Sequence, residues 1–500
     1  MDAHQLDLVL LAATSVLLVA ILAVRLSVGV GLPSLLAYLA IGVLLGESGL
    51  GIQFDNADTA HALGFAALIV ILAEGGLTTK WSEVRPAMPV GISLATLGVS
   101  ISVVVVAVFA HWLLGLSWEL SVLLGATTSA TDAAAVFSVL RTVPVKTRLR
   151  GILEAESGLN DAPTVLLVAL VSAGNALDHG PLGFAGIVAY ELVVGSVAGG
   201  LVGLAGAWVM RRVALPSSGL YPLAVMTFAV FAYAGTVAVH ASGFAAVYVA
   251  GVVLGNSELP HRAATRSFAE GLAWLAQIGL FVMLGLLASP GRFELSHVTA
   301  GLAAGVVLTF VARPLSMLAC GVPAKLPWLE QAFVAWAGLR GAVPIVLTTI
   351  PLAEGVAHSD DLFDMVFVLV VVFTLVQGPT LPAMARRLGV VTTGEARDID
   401  VEAAPLDHVA ADLLQVTITP QSRLHGVAVS ELRLPVGVAI SLVVRDGVSF
   451  VPERYTTLKR ADELLVVAPR RLRDETEKRL RAVSRKGRLA GWFGERGRLD

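Results

Sequence analysis

Apolar runs of about 20 residues, separated by short polar, Gly- or Pro-bearing stretches, fill roughly the first 390 positions and then stop. A run of that length with few charges is long enough to cross a bilayer as a helix. The pattern predicts about thirteen spans, near 6–27, 31–49, 60–78, 87–115, 120–140, 151–173 and 183–210, then 219–239, 243–256, 268–288, 296–320, 330–350 and 361–386. Loop charge tests that count. With the N-terminus outside, Arg25, Lys80, Arg85, Arg141, Lys146, Arg148, Arg150, Arg211 and Arg212 fall on the cytoplasmic side. Arg262, Arg266, Arg313, Lys325, Arg386 and Arg387 join them, whereas the outer loops hold Arg292 with Asp55, Asp58, Asp178, Asp360 and Asp361. This asymmetry obeys the positive-inside rule only for an odd number of spans, with the N-terminus outside and the C-terminus in the cytoplasm.

An odd count makes spans 1–6 and 8–13 candidate repeats of inverted topology. Corresponding members of the two halves are interrupted: span 5 by Thr127-Thr-Ser-Ala-Thr-Asp132, span 12 by Gly338-Leu-Arg-Gly-Ala-Val-Pro344. Pro344 removes a helix hydrogen bond, and Gly338 and Gly341 loosen the backbone beside it. Paired broken helices point to a midplane site, where free carbonyls can ligate a cation and helix ends need counter-charges.

Composition agrees with a polytopic α-helical membrane protein: 500 residues, 56% hydrophobic and only 15% charged. Eighteen of the 35 Lys and Arg lie after residue 390, so the net charge of −3 describes neither half. A single cysteine, Cys320, excludes a disulfide framework and a Cys-rich metal site. The first residues, Met-Asp-Ala-His-Gln-Leu-Asp, lack the positive region of a signal peptide, so the first run reads as a retained helix. Residues 1–389 therefore form the membrane domain, 390–410 an acidic linker, 411–485 a small cytoplasmic α/β domain and 486–500 a basic tail. In the small domain, Gln415 to Thr419 and Glu463 to Ala468 read as strands, Ala439 to Val451 as a hairpin turning on Asp446-Gly447, and Arg470 to Val483 as a helix.

The chemistry concentrates in Glu154-Ala-Glu-Ser-Gly-Leu-Asn-Asp161, at the head of span 6. Glu156 and Asn160 stand at i, i+4 on one helix face, and Ser157 and Asp161 form the adjacent stripe. A carboxylate at bilayer depth costs roughly 2.5 kcal/mol or more, so it is kept where it faces water, a partner charge or an ion. Glu74 in span 3, Thr131 and Asp132 in span 5 and Arg340 in span 12 are the other polar groups at that depth. Their carboxylate, hydroxyl and carbonyl oxygens suit hard cations, and the sequence holds no His or Cys cluster for a transition metal. His240 reads as a satisfied helix-end histidine. Walker A, Gly-x-Ser-x-Gly and Rossmann fingerprints are absent, so the chain reads as no enzyme and its energy source as an ion gradient. Arg340 keeps its proton and needs a fixed carboxylate; Glu156 is the expected partner, oriented by Asn160. Asp161 is then the carboxylate for which a proton and a cation compete. With Asn160 rather than a second aspartate beside it, one carboxylate exchanges one proton for one cation, which predicts electroneutral exchange.

Glu156-Ser-Gly-Leu-Asn-Asp161, Thr131-Asp132-Ala-Ala-Ala-Val and Gly338-Leu-Arg-Gly341 strongly resemble the NhaP-type branch of the monovalent cation/proton antiporters, across residues 1–390. The resemblance implies a homodimer of thirteen-helix subunits with a moving six-helix core. It also implies a monovalent cation held by Asp161, Asp132, Ser157 and the Thr131 carbonyl, a Glu156–Arg340 salt bridge, an orienting Asn160 and an acidic Glu74. Ala133-Ala134 departs from the proline that many members carry there, and Glu154 matches no assigned role and reads as vestibular. Residues 405–485 resemble the C-terminal half of the RCK (TrkA-C) module, through Gly426 to Pro435, Leu442 to Gly447 and Asp462 to Pro469. That pairing moves the expected cation from sodium or lithium toward potassium, and it suggests a small-molecule regulator but no cofactor. The expected setting is a bacterial inner membrane, with no nucleic acid as partner. Two rival readings are a gated cation channel, which lacks a Thr-Val-Gly-Tyr-Gly filter here, and a membrane-anchored sensor, which has no use for buried Asp132, Asp161 and Arg340.

Overall fold

The computed structural model describes residues 3–30, 33–47, 49–52, 54, 56–140, 143, 145–174, 180–288, 290–391, 399–406, 411–419 and 422–491. The chain forms two compact units, Met1–Val391 and Thr392–Asp500.

Among the described residues the first unit is built of helices, with one isolated bridge between Val145 and Val391. Its helices are α1 (Ala3–Val30), α2 (Ser34–Leu45), α3 (Ala57–Thr78), α4 (Trp81–Leu113), α5a (Trp118–Ser129) with α5b (Ala133–Val139), α6 (Thr147–Ser172) and α7 (Gly180–Arg212). After them come α8 (Leu220–Val237), α9 (Gly243–Asn256), α10 (Arg262–Leu287), α11 (Leu295–Gly321), α12a (Trp328–Trp336) with α12b (Ala342–Ala353), and α13 (Ser359–Arg387). These match the thirteen expected spans in order. Seven of them, α3, α4, α7, α8, α10, α11 and α13, are long and apolar enough to cross a membrane by length and composition. The expected breaks fall inside α5 and α12, as the polar and Gly-rich sequence requires. Asp55, Asp178 and Arg141, which the charge count assigns to loops, lie outside the described residues.

A second pair of irregularities also lies seven helices apart. Helix α4 widens to a π-helical segment at Leu94–Gly98, and α11 does so at Leu308–Ala312. The two helices meet beside them: Ser316 Oγ donates to the Gly98 carbonyl at 2.8 Å and lies 3.1 Å from Ser102 Oγ. A π segment displaces one backbone group from the helical ladder, and such segments are frequent at functional sites. Matching defects in α4 and α11, beside matching breaks in α5 and α12, support the two-repeat reading.

Arg313 comes directly after the second π segment. The loop-charge count assigns it to the cytoplasmic side; it is instead buried within α11. Helices α3 and α9 pack backbone to backbone, because a Cβ on Gly251 would stand only 2.9 Å from the Ala73 carbonyl oxygen. Small residues permit this approach, which gives dispersion contact without a hydrophobic driving force.

The second unit is an antiparallel five-stranded sheet of order β1-β2-β5-β3-β4. Its strands are β1 (Ile399–Leu406), β2 (Ala411–Ile418), β3 (Ala439–Arg445), β4 (Val448–Phe450) and β5 (Glu463–Pro469), and α14 (Arg473–Lys486) lies after them. The β3–β4 hairpin turns on Asp446 and Gly447, both at positive φ, as a two-residue hairpin loop demands. Strand β1 corrects the expected linker: residues 399–406 pair with β2, from Ile399 against Ile418 to Leu406 against Ala411. An acidic, proline-bearing edge strand reads as a linker because its partner strand supplies the order. Residues 392–398, 407–410 and the tail beyond 491 lie outside the described residues. Leu414, Val416, Val443, Leu464, Val466 and Leu480 form the core of the domain.

At the end of that sheet the fully buried Asp462 carboxylate accepts Arg445 Nε at 2.8 Å, Arg445 Nη2 at 2.7 Å and the Lys459 amide at 2.7 Å. Asp462→Ala leaves these donors unmatched and should cost on the order of 1–3 kcal/mol. Hydrogen exchange on the full-length protein checks this: amides of β2 and β5 exchange faster, while those of α3 and α9 keep wild-type protection. Unchanged rates in β5 would show that the cluster contributes nothing to stability.

Candidate functional site

The two helix breaks cross. Residues 130–132 run extended between α5a and α5b, and residues 337–341 leave the helix in a turn and a non-helical stretch between α12a and α12b. The Asp132 amide donates to the Leu339 carbonyl at 2.9 Å, tying the two breaks together. Four helix ends therefore meet inside the unit, two presenting unpaired N–H groups and two presenting unpaired carbonyls.

Each end is matched by a charge of the required sign. Asp132 caps α5b, its Oδ1 accepting the Ala135 amide at 3.1 Å, and its Oδ2 lies where a side chain on Gly341 would stand, at the start of α12b. Arg340 caps the opposite end, with Nη1 donating to the Ser129 and Ala130 carbonyls at 2.7 and 2.6 Å at the end of α5a. Arg313 Nη2 donates to the Val334 carbonyl in the last turn of α12a at 3.2 Å. Side chains on the two glycines would collide with these groups: a Cβ on Gly338 would stand 2.8 Å from Arg313 Nε, and one on Gly341 would overlap Asp132.

Glu156 pairs with Arg313, not with Arg340. Arg313 Nη1 meets Glu156 Oε1 at 2.5 Å and Nη2 meets Oε2 at 3.3 Å, both side chains being buried. Arg340 has the carbonyls of α5a instead, and Thr374 Oγ1 fixes its own carbonyl at 2.9 Å. The expected Glu156–Arg340 bridge is thus replaced, because a second arginine reaches the same depth from α11. The sequence carries a signal for it: between Glu294 and Lys325, Arg313 is the only Asp, Glu, Lys or Arg. Asn160 orients a different group from the one expected, donating from Nδ2 to Thr131 Oγ1 at 2.6 Å.

Asp161, Asp132, Ser157, Thr131 and Glu74 all line one cavity of about 270 Å³, which also reaches Glu154, Arg150, Thr78 and Thr79. Ser157 Oγ donates to the Thr131 carbonyl at 3.0 Å. Asp161 is only 6% exposed, and no described group hydrogen-bonds to its Oδ1. Asp132 lies near enough to act on it electrostatically. The cavity thus gathers hydroxyl, carbonyl and carboxylate oxygens around one carboxylate whose Oδ1 is unmatched, a donor set for a hard cation or a proton. Among the described residues no group of three or more His, Cys, Asp or Glu is arranged to hold a metal ion. Glu154, which also lines the cavity, accepts a hydrogen bond from Arg150 Nε at 2.9 Å one turn along the helix. His240 sits just beyond the end of α8 at positive φ, as expected of a helix-end residue.

Comparison with known proteins adds an independent line. The chain is 35% identical over 473 residues to the K(+)/H(+) antiporter NhaP of Alkalimonas amylolytica, covering 93% of this chain and 82% of that protein. It is 33% identical to the K(+)/H(+) antiporter NhaP2 of Shewanella oneidensis, over 97% of this chain and 84% of that one. The Na(+)/H(+) antiporter ApNhaP of Aphanothece halophytica is 26% identical, over 71% and 70% of the two chains. The fold matches the solved sodium proton antiporter MjNhaP1 of Methanocaldococcus jannaschii, with a TM-score of 0.63 at 20% identity, over 77% of this chain and 99% of that one. The TrkA-C domain model matches residues 413–481. The model of the transmembrane sodium/hydrogen exchanger family matches residues 13–387, and the chain belongs to that family.

Proposed function

We propose that the protein is a secondary active, electroneutral monovalent cation/proton antiporter in which Asp161 binds a proton or a cation alternately. One observation carries the reading: a nearly buried carboxylate with an unmatched Oδ1, facing a cavity together with Asp132, Thr131 and Ser157. The charges set at the helix crossing each have a partner that commits them. Glu156 and Arg313 bind each other, Arg340 holds two carbonyls, and Asp132 serves helix N-termini. Asp161, outside that set and with its Oδ1 unmatched, is the group that exchanges its occupant. A proton and a cation that need the same oxygens exclude each other, and that exclusion couples their movements. With a neutral Asn160 beside it, a single carboxylate carries one proton one way and one monovalent cation the other.

Potassium is the favoured cation. The relatives named K(+)/H(+) antiporters are more similar to this chain and aligned over a larger share of it than the one named a Na(+)/H(+) antiporter. Charge asymmetry supports an inner-membrane topology with the N-terminus outside and the C-terminal domain in the cytoplasm. In that orientation the part of the cavity near Arg150, Glu154 and Thr79 is the cytoplasmic part. A homodimer and a small-molecule ligand of the TrkA-C domain complete the proposal.

Dissipation of a pH gradient in proteoliposomes tests the reading. Wild type should respond to potassium, and Asp161→Asn should fall to the protein-free background; an active mutant would overturn the role of Asp161. A response confined to sodium or lithium keeps the mechanism and overturns the cation. Electroneutrality predicts no transport current on a solid-supported membrane, and a current that scales with the potassium gradient would exclude one-for-one exchange. Arg313→Met strands the Glu156 charge and should destabilise the detergent-solubilised protein by about 3–5 kcal/mol. Adding Glu156→Gln should recover most of that loss of thermal stability; no recovery would mean that the pair is not the source.

A further inference from the structure

Glu154, Gly158 and Asp161 lie along one face of α6, at spacings of four and three residues, and all three line the cavity. Glu154 and Asp161 are seven residues apart, or about 10 Å along the helix axis at 1.5 Å per residue. Two residues lie between them on that face, Ser157 and Gly158, and Gly158 has no side chain. In its place stands the ring of Tyr248, which comes from α9 and is itself buried. A Cβ on Gly158 would fall against Tyr248 Cζ and lie 2.6 Å from both Cε2 and the hydroxyl oxygen. The hydroxyl end lies beside Thr79.

The ring's mounting is rigid. Helix α9 is locked to α3 by backbone contact, and a Cβ on Gly76 would stand 2.5 Å from the carbonyl oxygen of Tyr248 itself. Tyr248 is thus fixed to the α3–α9 pair, while the face it covers belongs to α6, which carries the exchanging carboxylate. A cation moving along this face from Glu154 to Asp161 passes the edge of that ring.

We propose that Tyr248 is the specificity-determining residue of this route: its ring, seated on the bare backbone of Gly158, sets the size of cation that reaches Asp161. The phenolic oxygen can replace one water of a partly dehydrated alkali ion, and the fixed ring edge excludes larger ones. Gly158 is required because any side chain there would close the remaining gap.

The inference rests on the antiport reading, and the test separates the two. Full-length variants are reconstituted in proteoliposomes, and KM and maximal rate are measured for potassium, rubidium and caesium. Tyr248→Ala should bring the caesium-to-potassium ratio of rate over KM closer to one by about tenfold, the order that a small change in a pocket provides. Tyr248→Phe, which keeps the ring, should retain wild-type size discrimination. Gly158→Ala should lower potassium transport by about tenfold or more, and Tyr248→Ala in that background should restore it, since the new methyl then has room. A wild-type caesium-to-potassium ratio in Tyr248→Ala, or failure of the double variant to recover, would overturn the assignment. Should Tyr248→Ala fail to fold, Tyr248→Leu replaces it in both experiments under the same criteria. Absence of cation-driven proton movement in wild type, or activity in Asp161→Asn, refutes the antiport reading instead.

Discussion

Two helices broken at the same depth leave four sets of unpaired backbone groups where water is scarce, and the charges of the unit are arranged around that constraint. An unmatched N–H or C=O costs several kcal/mol in hydrocarbon. Asp132, Arg340 and Arg313 are distributed among these ends according to sign, carboxylate to N–H groups and guanidinium to carbonyls. Arg313 would add an uncompensated cation, and Glu156 neutralises it. The crossing and its charges form a closed set in which removing one member exposes the next. The two breaks are held together by that closure.

The π-helical segments extend the same logic to α4 and α11. Arg313 is the first residue after the Leu308–Ala312 widening. A widened turn shifts the register of the residues beyond it, and here it brings a guanidinium to the interior instead of toward the nearer end of the helix. Ser316, one turn further on, returns to the other π segment by bonding the Gly98 carbonyl. The two defects therefore support each other, and one of them aims the arginine that holds Glu156.

Most of the architecture is legible in the sequence because a bilayer makes hydrophobicity a direct reporter of structure. The run at 243–256 coincides with α9, and the two interruptions fall at the two breaks. Pairing across distant segments is not legible in the same way. Arg340 and Arg313 are both arginines within apolar runs, and nothing in one dimension says which of them reaches Glu156. The positive-inside count also draws Arg313 outward, although the absence of any other charge from 295 to 324 argues for burial. Strand β1 escapes for a related reason, since Asp400, Glu402 and Pro405 suit an exposed connection until β2 is placed beside them. Asn160 is an orienting amide, as its place on the helix suggests, but its partner, Thr131 Oγ1, becomes visible only when α6 is set against the α5 break.

The contacts of the carboxylate-bearing helix divide into two kinds. Toward the α5 break, α6 is tied by directional bonds: Asn160 to the Thr131 hydroxyl and Ser157 to the Thr131 carbonyl. Toward the α3–α9 pair, the contact at the cavity is an aromatic ring laid on Gly158. Hydrogen bonds fix register to within tenths of an ångström, whereas a ring on a bare backbone resists approach but not sliding. The cavity thus has one side where the Thr131 oxygens are held by hydrogen bonds and another where the contact is a ring on a bare backbone. Helix α6 carries the two kinds of contact at consecutive positions, Ser157 and Gly158, so the directional bond and the packing contact flank the same turn.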